Sequence, residues 1–317
     1  MTTAPLSGEP LGGPEPVDGR AAGEGRVVKA YSGWYDVMVD GRIWSANPRG
    51  RLRLSNQGIL TGDRVKVSMG DDDSAMIEEI LPRRNVLERP QVANVDQVLV
   101  VFTLADPPLI RPLVDRIMVL AESKSLIVLP VLNKSDLANA AQIEELKRIY
   151  RTAGYELSVT NALSGEGIAD LKRHLGGKVS VMAGPSGVGK SAILNALEPN
   201  LNLRTGAVSA KLQRGRHTTR HSQLLVVETA PEPGFVVDTP GFSRLHVADV
   251  DRYELAWYFP EMRPAGEPCR FDDCLHRHEP GCRVKERMAA GEVDPVRYQH
   301  YLDLLAEIET ADEQKYR

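Results

Sequence analysis

The chain has 317 residues, of which 42% are hydrophobic and 26% charged, and its formal net charge is −4. This length predicts two or three domains with a substantial core, and the charge excludes a polycation that binds nucleic acid through overall charge alone. The most apolar stretches are only strand-length, and the N-terminus lacks the basic start and apolar core of a signal peptide. We therefore expect a cytoplasmic protein with no membrane partner.

The N-terminal region predicts a tail followed by a small β-domain. Residues 1–24 are rich in glycine and proline and contain no aromatic residue, so we expect them to be disordered. Residues 25–85 contain short β-rich segments separated by glycines. The predicted strands are Arg26–Tyr31, Tyr35–Val39, Arg42–Ser45, Val65–Ser68 and Met76–Leu81. This spacing predicts a β-barrel, and an OB-fold that binds single-stranded nucleic acid is the natural candidate. Strand count alone does not exclude an SH3-like barrel or a protein-docking module.

Two basic windows contain no acidic residue. Gly41–Gly62 carries four arginines, and Pro199–Val227 carries four arginines and one lysine. The windows are either solvated faces or surfaces that contact phosphates, and charge alone does not distinguish the two.

Residues 86–247 alternate between apolar strands and helical segments. Val98–Phe102 and Leu126–Leu132 are almost wholly apolar, as strands of a buried parallel sheet are. Pro112–Ala121 and Ala140–Ala153 have helical spacing. The alternation predicts a doubly wound α/β domain.

A phosphate-binding loop follows the predicted strand Val179–Ala183 and opens a helix. It matches G-x-x-x-x-G-K-[ST] at every fixed position, in the context that supports such a match. Backbone N–H groups and the helix N-terminus would hold the phosphates, Lys190 would contact the β- and γ-phosphates, and Ser191 would ligate Mg²⁺. The predicted nucleotide-binding residues are Gly184, Pro185, Ser186, Gly187, Val188, Gly189, Lys190, Ser191 and Ala192.

Two further segments complete the phosphate end of the predicted site. Asp238-Thr-Pro-Gly241 fits D-x-x-G at the end of the predicted strand Phe235–Val237. Asp238 would hold Mg²⁺, and the Gly241 N–H would reach the γ-phosphate. In the segment before it, Thr218 or Thr219 would offer a hydroxyl to Mg²⁺, unless this is only a basic surface loop.

The base end of the site begins at Asn133-Lys134-Ser135-Asp136, at the tip of an apolar strand. The Asp136 carboxylate can accept two hydrogen bonds from guanine, whereas adenine would leave it unpaired. This favours a GTPase over a P-loop kinase or ATPase. Farther along, Asn161-Ala162 stands where GTPases often have Ser-Ala, and the Ala162 N–H would contact the guanine oxygen.

These motifs stand in an unusual order, with the base-binding residues before the phosphate loop. A sheet keeps the same spatial site if the old termini are joined and new ones are opened at a loop. Termini of a domain usually lie close together, so a circular permutation is sterically reasonable.

Residues 248–317 are predicted to be mostly helical and contain all three cysteines. The spacing C-x₄-C-x-H-x₅-C offers three thiolates and an imidazole from His276, with His278 as a rival, for a closed tetrahedral zinc site. Pro295–Glu309 has the pattern of a packing helix. Its predicted apolar face comprises Val296, Tyr298, Tyr301, Leu302, Leu305 and Ile308.

Taken together, the motifs closely resemble the circularly permuted GTPases of small-ribosomal-subunit assembly, the RsgA (YjeQ/EngC) type. The resemblance covers about residues 25–310 and includes Arg49-Gly50, Gly62–Val65, Arg216–Arg220 and Asp238–Phe242 besides the boxes above. It implies an OB-fold, a permuted GTPase domain and a helical zinc domain with one structural zinc held by Cys269, Cys274, His276 and Cys282. It also implies the small subunit and its ribosomal RNA as partners, GTP hydrolysis stimulated by that subunit, and Mg²⁺ with GTP, held by Ser191, Thr219 and Asp238. We expect a monomer.

The expected mechanism has a gap after D-x-x-G. Ras-like GTPases place there a Gln that orients the attacking water, whereas this chain has Phe242. We therefore expect slow intrinsic hydrolysis that a partner stimulates. Lys190, Thr218, Thr219 and His217 are the candidate catalytic residues, with His217 either positioning water or contacting RNA. The alternative function is an RNA-binding scaffold that uses GTP only as an affinity switch.

The assignment of Asp136 to the guanine base predicts a change of base preference. The Asp136→Asn variant should favour xanthosine over guanosine nucleotides, because xanthine carries an oxygen where guanine has its amine. Competition binding with the two diphosphates measures the shift. Unchanged affinity for guanosine nucleotides in the variant would contradict the assignment.

Overall fold

A computed structural model describes residues 22–31, 33–53, 58–70, 74–88, 91–199, 223–237, 247–264 and 266–315. The chain forms two units, one ending at Arg84 and the other beginning at Asn85. Among the described residues, no helix has both the length and the apolar character needed to cross a bilayer.

The first unit is a closed five-stranded barrel with the strand order β1-β2-β3-β5-β4. Its strands are β1 (Ala22–Tyr31), β2 (Trp34–Val39), β3 (Arg42–Pro48), β4 (Arg64–Met69) and β5 (Ser74–Ile80), and the short helix α1 (Gly50–Arg53) follows β3. β1 pairs with β4 to close the barrel, and β3 pairs with β5 in parallel. This is the arrangement of an OB-fold.

The five predicted strands are all present, and β1 begins four residues before its predicted start at Arg26. Residues 22–25 are Ala, Gly, Glu and Gly, which have low β-propensity, so no local pattern predicts a strand there. They form a strand because β4 pairs with them, from Ala22 opposite Ser68 to Gly25 opposite Val65. Gly25 also has no room for a side chain, since a Cβ there would lie 2.6 Å from a Val37 methyl carbon.

One buried ion pair stabilises the loop that leads into β4. The Asp63 side chain is inaccessible and accepts hydrogen bonds from Arg83 Nε (2.6 Å), an Arg83 terminal nitrogen (2.7 Å) and the Leu60 N–H (2.7 Å). Arg83 also donates to the Gly58 carbonyl. The two-pronged contact therefore joins the loop before β4 to the chain that leaves β5.

The second unit contains a six-stranded sheet with helices around it, which confirms the predicted α/β domain. The strand order is β10-β9-β8-β11-β13-β12, and all neighbours are parallel except β12 and β13. A small hairpin of β6 (Val86–Glu88) and β7 (Gln91–Ala93) precedes it. The sheet strands are β8 (Gln97–Phe102), β9 (Ile127–Leu132), β10 (Ser158–Val159), β11 (Val179–Ala183), β12 (Leu224–Val227) and β13 (Gly234–Val237).

Helices of this unit follow the strands in the order expected for a doubly wound sheet. They are α2 (Arg111–Glu122), α3 (Ala140–Thr152), α4 (Ile168–Leu175) and α5 (Lys190–Leu197). Asn139 caps α3 with a reciprocal side-chain pair to Gln142. Every residue of β8 and β11 is buried, so these strands lie at the centre of the core.

The C-terminal segment is mostly helical and packs against α2. Short 3₁₀ turns at Val247–Asp249, Leu255–Tyr258 and Pro260–Met262 lead to α6 (Arg283–Ala289) and α7 (Pro295–Lys315). The predicted apolar face of α7 is partly wrong, since Val296 is exposed and Leu302 only half-buried, whereas Arg297 and His300 are buried. The reason is that carboxylates on neighbouring elements pair with these two polar side chains.

The Asp63–Arg83 pair predicts a strong dependence of barrel stability on one carboxylate. Replacing Asp63 by Ala should lower the free energy of unfolding of the barrel by about 3–5 kcal/mol, because it leaves the guanidinium without its buried partner. Urea unfolding followed by tryptophan fluorescence and circular dichroism measures this.

Glu79→Gln is the matched control, because it removes a carboxylate from an exposed ion pair with Lys66 in the same barrel. It should leave the unfolding midpoint nearly unchanged. Equal losses in the two variants would show that burial of Asp63 does not matter.

Candidate nucleotide site and metal centre

The carboxyl ends of four parallel strands meet at one edge of the sheet. β8 ends at Phe102, β9 at Leu132, β10 at Val159 and β11 at Ala183. The loops that follow these strands therefore converge, and this edge is where open α/β sheets bind ligands.

The phosphate loop runs from the end of β11 into α5, as predicted. Gly184, Gly187 and Gly189 have φ values of 141°, 86° and 93°, which favour glycine. Gly184 and Gly189 also lack space, since a Cβ at Gly184 would lie 2.0 Å from the Val101 oxygen and one at Gly189 would lie 2.3 Å from Asn133 Nδ2. These positions explain why the motif needs glycine here.

Lys190 begins α5 and folds its ammonium group back over the loop. Its Nζ donates to the carbonyl oxygens of Gly184 (2.8 Å) and Pro185 (2.6 Å). The ammonium group is thus held by the first two residues of the loop, and Ser191 and Ala192 follow Lys190 in the first turn of α5.

Asn133 joins three loops through a buried side-chain amide. Its Nδ2 donates to the Val188 carbonyl in the phosphate loop at 2.9 Å. Its Oδ1 accepts from the Thr160 hydroxyl and the Ala162 N–H, both at 3.2 Å, in the loop after β10. The base-side motif, the second base-side loop and the phosphate loop are therefore parts of one site.

The rest of the Asn133–Asp136 motif faces this edge. Lys134 has a left-handed backbone (φ 56°) and donates from Nζ to the Asp106 carbonyl at 2.6 Å. The Ser135 N–H donates to the Thr160 carbonyl at 3.2 Å, which fixes the motif to β10. Asp136 lies exposed in a short 3₁₀ turn, Ser135–Leu137.

The second base-side loop is shaped by Asn161. Its Oδ1 accepts from the N–H groups of Leu163 (3.0 Å) and Ser164 (3.3 Å), and its own N–H donates to the Glu166 carbonyl. Asn can close this turn as well as Ser could, so the departure from Ser-Ala leaves Ala162 at the site.

Several predicted residues lie outside the described part of the chain. These are His217, Thr218 and Thr219 and, after the end of β13, Asp238 and Gly241. Their predicted roles stay predictions.

Two contributors to the site had no motif signal. Thr160 has an inaccessible side chain that supports Asn133, and a hydroxyl at a strand tip was the one available clue. The loop of residues 103–110, between β8 and α2, lies against both Lys134 and Gly187, and a Cβ at Gly187 would be 3.5 Å from Pro107. Only the tertiary structure reveals this loop.

A second cluster lies between the 3₁₀ turns and α6. The three Cys Sγ atoms and one ring nitrogen of His276 all lie within 4.8 Å of one another, and His278 is not part of the group. His276 Nδ1 is 3.6 Å from Cys269 Sγ and 3.4 Å from Cys282 Sγ. A tetrahedral zinc with usual bond lengths separates such S and N ligands by about 3.6 Å.

Burial shifts the pKa values of both the Cys274 thiol and the His276 imidazole. Burial and, to a smaller degree, the neighbouring Cys282 and Cys269 thiolates raise the pKa of Cys274 to about 12. Burial lowers the pKa of His276, so its imidazole is neutral and can offer a lone pair. A bound metal ion would compensate the thiolates that this burial otherwise disfavours.

Residues around the cluster hold the chain that carries the ligands. Glu279 accepts from three loop N–H groups, those of Leu275 (2.9 Å), Arg277 (2.7 Å) and His278 (3.0 Å). Tyr298 and Tyr301 on α7 donate to the His276 and Leu275 carbonyls at 2.5 and 2.8 Å. Such supporting contacts orient metal ligands.

Comparison with known proteins agrees with this geometry. The family model of the RsgA GTPase matches residues 80–248, and that of the RsgA N-terminal domain matches residues 24–77. The chain belongs to the RsgA GTPase family.

Relatives of this RsgA-family chain match it over almost their whole length. It is 46% identical to the small ribosomal subunit biogenesis GTPase RsgA of Moorella thermoacetica, over 90% of this chain and 97% of that protein. The protein of the same name from Geobacillus thermodenitrificans is 44% identical, with 90% and 97% covered.

Solved structures of the RsgA fold are also similar. YjeQ from Thermotoga maritima superposes with a TM-score of 0.77 at 39% identity, covering 91% of this chain and 99% of that one. YloQ, described as a circularly permuted GTPase, gives 0.76 at 32% identity, with 92% and 96% covered. The inferred permutation of the motifs is therefore confirmed.

The metal centre predicts different roles for two nearby histidines. His276→Ala should lower the metal content of the purified protein from about one ion per chain toward zero, because three ligands remain of a four-ligand site. His278→Ala, the control, should keep the metal. Elemental analysis measures both, and equal metal content in the two variants would contradict the assignment.

Proposed function

We propose that this chain is a GTP hydrolase that assists maturation of the small ribosomal subunit, binds its ribosomal RNA, and is stimulated by that subunit. The observation that carries the GTPase assignment is the Asn133 amide, which joins base-side and phosphate-side loops into one guanine-nucleotide site. The names of the relatives support the ribosomal role.

The described residues suggest how GTP is held. Backbone N–H groups of residues 184–192 and the Lys190 ammonium bind the phosphates, and the Asp136 carboxylate accepts from guanine. The Ala162 N–H lies 3.2 Å from Asn133 Oδ1 in this structure, and it would also contact the guanine oxygen when GTP is bound. Mg²⁺ supplies charge neutralisation of the phosphates when bound, and Ser191 at the start of α5 would ligate it together with Thr219 and Asp238.

Hydrolysis in this proposal depends on a partner. Phe242 follows D-x-x-G and cannot hydrogen-bond water, so the intrinsic rate is slow. The subunit would order Thr218 and Thr219 or supply a group in trans, and His217 would position the attacking water.

We propose zinc as the metal of the Cys₃His cluster, in a structural role. Three thiolates and one imidazole are ligands that zinc prefers, and four protein ligands leave no open position for catalysis. The site would stabilise the loop that α7 contacts.

The proposed division of labour follows three regions. Residues 25–85 bind RNA, residues 86–247 bind and hydrolyse GTP, and residues 248–317 carry the zinc. The protein would act as a cytoplasmic monomer.

Turnover with and without the subunit tests this function. Purified protein should hydrolyse GTP slowly alone and at least about tenfold faster with small subunits, since a stabilising group in trans is worth more than that in other GTPases. Phosphate release with GTP, and with ATP as the control nucleotide, measures it.

The alternative functions give different results in the same assay. An RNA-binding scaffold would bind subunits in a GTP-dependent way without faster turnover. A P-loop ATPase would hydrolyse ATP as well as GTP.

A further inference from the structure

A buried cluster of charged side chains joins α2 to the C-terminal segment. It comprises Asp115 on α2, Glu261 in a 3₁₀ turn, and Arg297 and His300 on α7, all less than a tenth exposed. The Arg297 guanidinium donates to Asp115 Oδ1 and, from Nε, to Glu261 Oε1 at 2.5 Å. His300 Nδ1 lies 2.5 Å from Asp115 Oδ2.

Both carboxylate oxygens of Asp115 are therefore bound to side chains of α7. The contacts of Arg297 with Asp115 and Glu261 are ion pairs. Although burial lowers the pKa of Arg297, Asp115 and Glu261 raise it above the usual value, so the guanidinium is charged. One cation thus serves two carboxylates from different elements. Neutralising one carboxylate still leaves Arg297 with a partner, which makes the two acids separable by mutation.

Only one of these acids lies on an element that reaches the nucleotide site. Asp115 is in the second turn of α2, and the loop of residues 103–110 leads directly into that helix. Asp106 in this loop accepts from Lys134 Nζ at 2.6 Å, and Pro107 lies against Gly187. The Thr103 hydroxyl donates to the Pro107 carbonyl at 2.6 Å and closes the loop. A shift of α2 would move this loop against both the base-side and the phosphate-side motifs.

The other side of the cluster is fixed to the metal centre. Tyr298 and Tyr301 flank His300 on α7 and hold the carbonyls of His276 and Leu275. Glu261 belongs to this side and does not lie on α2. A continuous set of contacts therefore runs from the loop of Leu275 and His276, through α7 and Asp115, to Lys134.

We propose that Asp115 is a positioning residue for the guanine-nucleotide site: through Arg297 and His300 it sets the position of α2, and thereby the loop that holds Lys134 and borders Gly187. The inference rests on the proposed GTP-binding function. Asp115 itself touches no nucleotide in this scheme. Through these contacts of Asp115, the C-terminal segment supports the nucleotide site.

The test compares two isosteric neutralisations within the same cluster. Asp115→Asn should raise the Kd for fluorescent GDP and the KM for GTP by roughly three- to tenfold, as mutations along a coupling route do. The kcat with small subunits should stay unchanged, because the lost interaction concerns binding alone. Glu261→Gln should lower the thermal midpoint without changing Kd or KM.

Controls separate positioning from a loss of folded protein. A merely structural role of Asp115 would reduce the active fraction, and so the apparent kcat, at constant KM. Arg116→Gln removes the neighbouring, exposed α2–α7 ion pair with Glu307 and should change neither constant. If Asp115→Asn does not fold, Arg297→Lys is the second variant. It keeps the positive charge but loses the several fixed donors of the guanidinium, and it should also raise KM.

Two outcomes would overturn the inference. One is an unchanged KM and Kd in folded Asp115→Asn, and the other is an equal rise in Glu261→Gln. Failure of the wild-type protein to bind guanosine nucleotides would instead refute the proposed function, so the two failures are distinguishable.

Discussion

The nucleotide site depends on the buried amide of Asn133. It links its own loop to the phosphate loop at Val188 and to the second base-side loop at Thr160 and Ala162. A buried amide that loses one partner leaves an unsatisfied polar group, so each loop is held in place by the other two. This constraint explains why Gly189 cannot carry a side chain, since a Cβ there would collide with the same amide.

The order of the motifs along the chain matters less than the direction of the strands. β8, β9, β10 and β11 are parallel, so all their carboxyl ends lie at one edge whichever strand comes first. A permuted chain therefore rebuilds the same site, provided that new connections do not cross this edge. The antiparallel strand β12 is an edge strand that pairs with β13, so its direction does not alter where the four parallel strands end.

The C-terminal segment contacts both its own Cys₃His cluster and helix α2. Its helix α7 contacts the loop of Leu275 and His276 through Tyr298 and Tyr301, and it contacts α2 through Arg297. Ionic contacts in the second turn of α2 (Arg297 with Asp115) and at its last residue (Arg263 with Glu122) fix this helix relative to the C-terminal segment. Helix α2 is thus held by residues more than a hundred positions away in the sequence.

Local sequence patterns predict the barrel strands, the parallel sheet, the Asn133–Asp136 motif, the phosphate loop and the Cys₃His cluster. Each of these follows from strand periodicity, glycine geometry or ligand spacing within a few residues. Three other features are visible only in the folded chain: residues 22–25 pair with β4, Asp106 contacts Lys134, and Arg297 and His300 are buried. In each case a distant segment supplies the partner for a backbone or charged group, and no local pattern encodes that partner.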